Sequence, residues 1–427
     1  MSVYAVRPVD GPIVGSIRPP GSKSYTNRAL PLAAVAEGRS VIRHALESED
    51  VDAMLEALKT LGIAAEFHHE LETIEVSSSG GPFPASSATL NLINSGTSLR
   101  FLAALVSAGR GSFVLDGNAR MRERPVGDLL DGLRQLGVET RCLEAEGCPP
   151  VEIRTNGLNG GPVTVKADVS SQYLSGLLMA APLAKAPVEI RLSGDLVSKP
   201  YVLMTLETMK AFGVSVLRLD ENVFRVSPQR YFGRVYTVEP DATAASYWFA
   251  LGAISKGGVA VEGLGRDTIQ GDFRFVNILE RMGCAVEQIH DTTVVYGGDL
   301  RGGDFDLHHM SDVVPTLAAV ACFAEGPTTI RNVANVRVKE CDRLAAMATE
   351  LGRLGVKVEE FADGMTITPG PMAGATVQTY DDHRIAMSLA LVGLRVPGVV
   401  ISEPECVRKT YPGFWSDLER LTHQQSG

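Results

Sequence analysis

One short segment in the second half of the chain concentrates cationic and acidic side chains at close spacing. It runs from Asn335 to Arg343 and reads NVRVKECDR. If this segment is helical, Lys339 and Arg343 share one face, and Glu340 lies three residues before Arg343. A carboxylate held among cations can bind an anion and present a proton donor or acceptor beside it. Asp312, which stands before an apolar helix, is a second candidate acid whose alternative role is that of a helix N-cap.

Other segments place small, hydroxyl-bearing or cationic residues in turns and where apolar helices are predicted to begin. Unpaired backbone N–H groups at helix starts favour anions, and hydroxyl and amide donors suit sugar hydroxyls or phosphate oxygens. Taken singly, each segment is also consistent with an ordinary cap, turn or solvated charged face. The segments are Gly21–Arg28, Asn94–Arg100, Arg120–Pro125, Asp168–Ser175, Ser198–Tyr201, Tyr380–Met387 and Arg408–Pro412.

The sequence contains no motif typical of a metal or nucleotide site. The histidine pairs at 68–69 and 308–309 are adjacent, and adjacent side chains diverge on a helix or strand. Cys142 and Cys148 have no second cysteine pair nearby. A nucleotide-binding phosphate loop in the N-terminal segment is excluded because Pro20 stands where its second glycine is required. We therefore predict that the protein binds no metal.

The composition of the whole chain narrows the class of protein. Forty basic and fifty acidic side chains give the 427 residues a formal charge of −10, which argues against a broad nucleic-acid-binding or membrane-binding surface. Six irregularly spaced cysteines indicate a reducing compartment rather than a disulfide framework. The apolar runs are too short to span a membrane, and the first residues lack a secretory signal. We expect a folded cytoplasmic protein that meets anionic ligands with local clusters of Lys and Arg.

The elements that must position these residues recur at a nearly constant interval. In each copy, an amphipathic helix ends in an apolar residue and a glycine, and a strand, a polar turn and a second strand follow. The glycines stand 70 to 76 residues apart, which predicts six units of about 71 residues. Five units are complete, and the sixth can be assembled from both ends of the chain. The five glycines are Gly62, Gly137, Gly213, Gly283 and Gly355.

Six units predict two domains of three units each, with a boundary near Pro240. If the last unit includes both termini, residues 21–240 form a first domain, inserted between residues 1–20 and 241–427 of a second. Candidate site residues fall in both domains, so we expect the active site in the cleft between them.

Taken in order, the motifs resemble those of the 5-enolpyruvylshikimate-3-phosphate (EPSP) synthase family, the enolpyruvyl transferases of the shikimate pathway. They extend from residue 21 to residue 409, nearly the whole chain. The matching motifs are GSKSxTNR from Gly21, NSGT from Asn94, RMxxRP from Arg120, SSQY from Ser170, SKPY from Ser198, RVKExDR from Arg337 and DHR from Asp382.

The resemblance implies a fold and a reaction. The fold is a mixed α/β (α+β) structure, a two-domain inside-out α/β barrel with three βαβαββ units in each domain. The reaction moves the enolpyruvyl group of phosphoenolpyruvate to the 5-hydroxyl of shikimate 3-phosphate and releases phosphate, a step of aromatic amino acid biosynthesis. No metal and no organic cofactor are implied. The expected partners are the two small substrates, bound by a monomer that uses neither nucleic acid nor membrane.

The resemblance also allocates roles to matching positions. Asp312 is implied to accept the 5-hydroxyl proton, Glu340 to protonate the methylene carbon of phosphoenolpyruvate, and Lys23 to neutralise charge or share proton transfer. Which of the three moves each proton stays open. The implied ligands of shikimate 3-phosphate are Lys23, Ser24, Arg28, Ser170, Ser171, Gln172, Ser198, Tyr201, Asp312, Asn335 and Lys339. Those of phosphoenolpyruvate are Lys23, Gly96, Arg124, Gln172, Arg343, Arg384 and Lys409.

The sequence departs from the family pattern at three places. Phe101 stands where many bacterial relatives have proline, Cys341 where threonine is common, and Val-Val-Pro follows Asp312 in place of Ala-Ala-Met. The implied reaction is unaffected, but the response to glyphosate, which occupies the phosphoenolpyruvate site in this family, stays open.

Two alternative functions remain. A UDP-N-acetylglucosamine enolpyruvyl transferase is disfavoured because the segment from Gly111 to Arg124 contains no cysteine, and the other alternative is a non-catalytic small-anion-binding protein.

Overall fold

The computed structural model describes residues 2–166, 168–194 and 196–423. The chain forms two compact units. Gly21–Glu239 make up one, named the inserted unit, and Met1–Pro20 with Pro240–Gly427 make up the other, named the terminal unit. Each is a mixed α/β structure with three sheets in its described residues, which is the fold class that the sequence predicts.

Two strands of the terminal unit open the chain, and the elements of the inserted unit follow. The opening strands are β1 (Val3–Ala5) and β2 (Val14–Ile17). The strands of the inserted unit are β3 (Ala36–Arg43), β4 (Ala64–His68), β5 (Thr73–Ser79), β6 (Ser87–Asn91), β7 (Arg110–Asp116), β8 (Glu139–Cys142), β9 (Val151–Asn156), β10 (Gly161–Lys166), β11 (Val188–Ser193), β12 (Leu217–Arg218), β13 (Val223–Val226), β14 (Tyr231–Phe232) and β15 (Val235–Thr237). Its helices are α1 (Lys23–Val35), α2 (Glu49–Thr60), α3 (Gly96–Val106), α4 (Gly127–Gln135), α5 (Ser171–Ala180) and α6 (Lys199–Ala211).

The rest of the terminal unit repeats the same alternation of helices and strands. Its remaining strands are β16 (Gly258–Glu262), β17 (Ala285–Ile289), β18 (Thr292–Tyr296), β19 (Asp304–Asp306), β20 (Thr328–Arg331), β21 (Lys357–Phe361), β22 (Gly364–Thr368), β23 (Thr376–Val377) and β24 (Val400–Ser402). Its helices are α7 (Ala242–Ser255), α8 (Phe275–Arg281), α9 (Val314–Ala321), α10 (Arg343–Arg353), α11 (His383–Gly393) and α12 (Phe414–His423).

Each sheet combines antiparallel neighbours with at least one parallel pair. The strand orders in the inserted unit are β14-β3-β5-β4 with β15 also beside β3, β6-β7-β9-β8, and β10-β11-β13-β12. Those in the terminal unit are β17-β18-β16-β2, β19-β20-β22-β21, and β1-β24-β23. In the last sheet Val3 lies opposite Ser402, so strands from both ends of the chain belong to one sheet.

The five repeat glycines end helices as the sequence predicts. Their φ angles lie between +88° and +110°, in the left-handed region that glycine enters without steric cost. Each stands two residues after the last residue of α2, α4, α6, α8 or α10. The spacing of the glycines therefore reports the spacing of helix ends, and a hairpin or a short strand pair follows each one.

The helices are of two kinds, and they alternate along the chain. All residues of α7 and α11 are buried, and the two pack against each other and against α9. In the inserted unit, α3 packs against α1 and α5, which are also largely buried. By contrast, α4 and α10 bury one face only. A helix that is apolar all round must be surrounded by protein, so each unit places three helices inside it and carries amphipathic helices nearer the surface.

Candidate active site

Most predicted site residues lie at the first turn of a helix or just before it. Lys23, Gly96 and Ser171 begin α1, α3 and α5, Arg343 begins α10, and Arg384 is the second residue of α11. The first N–H groups of a helix have no intrahelical partner and carry partial positive charge. These positions therefore suit the phosphate and carboxylate groups of an anionic ligand.

Asp312 lies among three cationic side chains of the terminal unit. It belongs to a single 3-10 turn, Ser311–Val313, that leads into α9. Its carboxylate accepts hydrogen bonds from Arg343 Nη1 at 2.9 Å and Arg384 Nη2 at 3.1 Å, and Lys339 Nζ lies 3.5 Å away. Burial by itself raises the pKa of this carboxyl, but the three cations outweigh burial and hold the pKa well below 3.8. Asp312 is therefore ionised at neutral pH.

Arg343 connects the two candidate acids. Its side chain is 1% exposed and donates through Nη1 to Asp312 and through Nη2 to Glu340, the latter at 2.8 Å. Its Nε donates to Asp382, also at 2.8 Å. Burial by itself lowers the pKa of the guanidinium, but Asp382, Glu340 and Asp312 raise it above its ordinary value. One permanently charged fork therefore holds Asp312 and Glu340 near each other.

The segment around Lys339 is not a continuous helix, so the helical face that Lys339 and Arg343 would share does not form. The helix α10 begins only at Arg343, because the side chain of Asp342 caps it by accepting a hydrogen bond from the Ala345 N–H at 3.1 Å. Lys339 and Arg343 nevertheless converge on Asp312. They do so from a loop and a helix start rather than from one helical face.

In the inserted unit, Arg124 packs against the first turn of α3. Its Nη1 donates to the backbone and side-chain oxygens of Asn94 at 2.9 and 3.0 Å, and the residue is 4% exposed. A Cβ on Gly96 would lie 2.7 Å from Arg124 Nη2. Gly96 therefore leaves the space that the guanidinium occupies, and the two predicted phosphoenolpyruvate ligands are direct neighbours.

Arg100 is a functional candidate that the sequence reasoning missed. Its Nη1 donates to Gln172 Oε1 at 2.7 Å and its Nη2 to the Pro125 carbonyl oxygen at 2.8 Å. The Tyr173 ring lies 5.3 Å from the guanidinium carbon, and its hydroxyl donates to the same carbonyl. Arg100 therefore fixes both Gln172 and the residue after Arg124. Its place one helical turn after the NSGT motif is the sequence signal that points to it.

Arg28 is buried among neutral oxygens and aromatic rings. It is 1% exposed, its Nε donates to Thr205 Oγ1 at 2.8 Å, and its terminal nitrogens donate to the carbonyl oxygens of Ser24 and Tyr201. The rings of Phe101 and Tyr201 lie 5.2 and 5.8 Å from the guanidinium carbon. Burial lowers its pKa to about 10. Within the described part of the chain Arg28 forms no ion pair, so an anionic ligand would supply the counter-charge that this cation lacks.

The remaining predicted ligands of the inserted unit occupy helix starts. Lys23 Nζ lies 3.7 Å from Asp50. Ser170 caps α5 by accepting a hydrogen bond from the Gln172 N–H at 3.3 Å, and Ser171 follows it, 5% exposed. Ser198 precedes α6 with a φ of +52°. Its carbonyl oxygen accepts from the Tyr201 N–H at 3.0 Å, and the Tyr201 carbonyl oxygen in turn accepts from Arg28.

Two predicted ligands of the terminal unit lie at the edges of the Asp312 cluster. Asn335 Nδ2 donates to the hydroxyl of Ser311, the residue before Asp312, at 3.1 Å. Lys409 is 6% exposed, ends the 3-10 helix Pro404–Lys409, and has Asp381 as a charged neighbour. The predicted residues that contact Asp312 directly therefore come from α10, α11 and the loop that carries Lys339.

Comparison with known sequences decides the family. The sequence model of EPSP synthase (3-phosphoshikimate 1-carboxyvinyltransferase) matches residues 9–418. The chain belongs to the EPSP synthase family. Relatives in the EPSP synthase family match it along its full length. The 3-phosphoshikimate 1-carboxyvinyltransferase of Nostoc sp. is 46% identical over 423 residues, which cover 99% of this chain and 100% of that protein. The protein of the same name from Shewanella denitrificans is 46% identical over 417 residues, 96% of this chain and 97% of that one.

Solved structures of EPSP synthases have the same fold. The EPSP synthase from Acinetobacter baumannii superposes with a TM-score of 0.81 at 27% identity and covers 98% of this chain and 97% of that chain. The enolpyruvyl transferase NikO from Streptomyces tendae gives a TM-score of 0.76 over 97% of this chain and 96% of its own, and at 21% identity it shows the fold alone.

None of the described helices is both long and apolar enough to cross a membrane. Across the described ranges, no three His, Cys, Asp or Glu side chains are grouped so as to hold a metal ion.

Proposed function

We propose that Asp312 and Glu340 carry out the proton transfers of the reaction that this family catalyses, with Lys23 as the third catalytic residue. The protein is an enolpyruvyl transferase. It moves the enolpyruvyl group of phosphoenolpyruvate to the 5-hydroxyl of shikimate 3-phosphate and releases phosphate. The observation that carries the proposal for the acids is their arrangement, with Asp312 and Glu340 bound to two nitrogens of one buried guanidinium.

The chemistry requires one group that takes a proton and one that gives a proton. In the addition step, the 5-hydroxyl oxygen bonds to C2 of phosphoenolpyruvate, the hydroxyl proton leaves, and another proton adds to the methylene carbon. In the elimination step, a proton leaves the new methyl group while the bond from C2 to the phosphate oxygen breaks. We assign the hydroxyl proton to Asp312, which is ionised, and the proton at carbon to Glu340. Lys23 at the start of α1 balances charge on phosphate.

Substrate binding itself converts Asp312 into a base. The cations that depress its pKa include Arg343 and Arg384, which are proposed ligands of phosphoenolpyruvate. A bound phosphate or carboxylate competes with Asp312 for the donors of these side chains, and guanidinium forks bind such groups with paired hydrogen bonds. As those donors turn to the substrate, the pKa of Asp312 rises towards the range in which a carboxylate accepts a proton effectively.

The inserted unit supplies further ligands of the proposed set. Arg124 and Gln172 are assigned to phosphoenolpyruvate, and Arg28, Ser170, Ser171 and also Gln172 to shikimate 3-phosphate. The support is physical, because Arg28 is a buried cation that lacks an ion pair in the described residues and α5 begins at Ser171. The remaining assigned ligands are Lys23, Ser24, Ser198, Tyr201, Asp312, Asn335 and Lys339 for shikimate 3-phosphate and Lys23, Gly96, Arg343, Arg384 and Lys409 for phosphoenolpyruvate. Ligands come from both units, so neither unit alone is expected to catalyse the reaction.

The decisive assay is phosphate release from phosphoenolpyruvate with each acceptor in turn. We expect release with shikimate 3-phosphate and none with UDP-N-acetylglucosamine. Asp312→Asn is expected to bind both substrates and to lose turnover, and a variant with near wild-type kcat would remove Asp312 from the base role.

We also propose that the protein is a monomer and that it is located in the cytoplasm. A dimeric mass in light scattering would contradict the proposal of a monomer.

A further inference from the structure

Glu350 is a buried carboxylate, outside the proposed ligand set, that holds the segment leading into α11. It lies on α10 and is 0% exposed. Its Oε2 accepts a hydrogen bond from the Gln378 N–H at 3.0 Å, and its Oε1 accepts one from the Tyr380 hydroxyl at 2.6 Å. Arg353 Nε lies 3.2 Å from Oε2. A buried carboxylate costs stability unless such partners compensate it, so these contacts tie the Gln378 backbone and the Tyr380 side chain to α10.

The segment held by Glu350 contains two successive residues in the left-handed region. Tyr380 has a φ of +55° and Asp381 a φ of +53°, and the Asp382 N–H closes the turn on the Thr379 carbonyl oxygen at 2.9 Å. Aspartate enters this region with modest strain, but a bulky aromatic residue rarely does. Such strained conformations persist where the surroundings impose them and cluster at functional sites.

The turn places Asp382 in contact with two arginines. Asp382 is 0% exposed, caps α11 by accepting from the Arg384 N–H at 2.9 Å, and accepts from Arg343 Nε at 2.8 Å. Through the cap it sets where α11 begins and where Arg384 stands, and through the ion pair it sets the guanidinium plane of Arg343. Both arginines also donate to Asp312. A shift of the turn would therefore move both cations together.

We propose that Glu350 is a positioning residue for phosphoenolpyruvate binding. By holding Tyr380 in its left-handed conformation, it keeps Asp382 against Arg343 and Arg384. The proposal rests on the assignment of these two arginines as phosphoenolpyruvate ligands. Glu350 itself touches neither substrate in this scheme, so its removal acts on KM for phosphoenolpyruvate through the geometry of its ligands.

The test begins with steady-state kinetics of Glu350→Gln, varying phosphoenolpyruvate at saturating shikimate 3-phosphate. The amide lacks the carboxylate charge and keeps only one acceptor oxygen, so it cannot accept from both the Gln378 N–H and the Tyr380 hydroxyl. KM for phosphoenolpyruvate is expected to rise about tenfold, the scale of one hydrogen bond to a charged group. Tyr380→Phe removes only the hydroxyl and is expected to raise the same KM by roughly threefold. The matched control is Glu359→Gln, an exposed glutamate on β21, which should retain wild-type constants.

Rescue separates positioning from a purely structural role. Glycine has no steric penalty at positive φ, so adding Tyr380→Gly to Glu350→Gln lets the turn form without the carboxylate. KM for phosphoenolpyruvate should then return to within about threefold of the wild-type value. If Glu350→Gln leaves this KM unchanged, or if the glycine does not lower a raised KM, the proposal is wrong.

Two further outcomes are informative. If Glu350→Gln does not fold, Tyr380→Phe carries the test, and a wild-type KM for phosphoenolpyruvate in that folded variant overturns the proposal. The wild-type protein serves as the check on function. Failure of the wild type to release phosphate from the two substrates would refute the proposed reaction, whereas normal wild-type turnover with an unaffected Glu350→Gln would refute only the role of Glu350.

Discussion

The Arg124 guanidinium occupies the volume that a side chain on Gly96 would need. A Cβ at residue 96 would lie 2.7 Å from Nη2 and 2.8 Å from the guanidinium carbon. Arg124 is 4% exposed and bonded twice to Asn94, so the end of its side chain cannot move aside freely. The size of residue 96 therefore controls the position of a proposed phosphoenolpyruvate ligand.

Gly96→Ala is expected to weaken phosphoenolpyruvate binding by about 1.5–3 kcal/mol, because it displaces a charged hydrogen-bond donor. The affinity for shikimate 3-phosphate should change little. Titration of each substrate measures both effects. Gly352→Ala is the control, since Gly352 lies in α10 with nothing within 4 Å of its Cβ position, and it should leave both affinities intact. Equal losses for the two substrates in Gly96→Ala would contradict this account.

Arg100→Lys is expected to lower kcat/KM for phosphoenolpyruvate by about tenfold, because an ammonium cannot bridge Gln172 and the Pro125 carbonyl in the geometry of the guanidinium. Initial rates at limiting phosphoenolpyruvate measure the effect. An exposed arginine of the same unit, Arg141, provides the control through Arg141→Lys. Wild-type kinetics in a folded Arg100→Lys variant would show that Gln172 needs no such support.

The pKa of Asp312 links the stability of the protein to pH. The folded-state pKa lies well below 3.8, so the carboxylate contributes stability that is complete above the unfolded-state pKa and declines as pH falls towards the folded-state pKa. Asp312→Asn should therefore be less stable than the wild type by about 1.5–3 kcal/mol near neutrality. This difference in the free energy of unfolding between the wild type and Asp312→Asn should shrink only below about pH 4. Urea unfolding midpoints across this pH range measure it, and a constant difference would indicate that the ion pairs do not account for it.

We expect proton uptake when the hydrogen-bond donors of Arg343 and Arg384 turn from Asp312 to the substrate. If the pKa of Asp312 rises on binding, formation of a complex with shikimate 3-phosphate and an unreactive phosphoenolpyruvate analogue takes up protons below about pH 6. Calorimetry in buffers of different ionisation enthalpy measures the number of protons. Asp312→Asn removes this contribution and leaves that of the ligands, so identical uptake in the two proteins would rule out the proposed activation of the base.

Local sequence rules predicted the framework of the fold well. The helix ends at Gly62 and its four counterparts follow from a steric preference that involves only neighbouring residues. The helix starts that we propose as anion sites were equally visible, because small and hydroxyl-bearing residues precede apolar runs at Lys23, Gly96 and Ser171.

The contacts between distant residues were not visible in the sequence. Arg100 and Gln172 are 72 positions apart, and Glu350 holds a segment about 30 positions later, so only the folded chain shows that these side chains meet. The start of α10 was not visible either, because the spacing of the charges is compatible with one helical face from Lys339 to Arg343, whereas Asp342 acts as a cap at which the helix begins. The pKa of Asp312 likewise depends on three cations that approach from separate loops and helices.

The pairing of β1 with β24 has a consequence for synthesis. Val3 and Ser402 lie opposite each other, and ribosomes add roughly 5–20 residues per second. The first strand therefore emerges roughly 20 to 80 seconds before its partner, while the whole inserted unit is made in between. The inserted unit can fold on the ribosome as a continuous piece of chain, whereas the terminal unit must hold β2 unpaired until β16 is made and β1 unpaired until translation is nearly finished. Chaperone dependence and aggregation during expression should accordingly follow substitutions in β1 and β24 more closely than substitutions in the inserted unit.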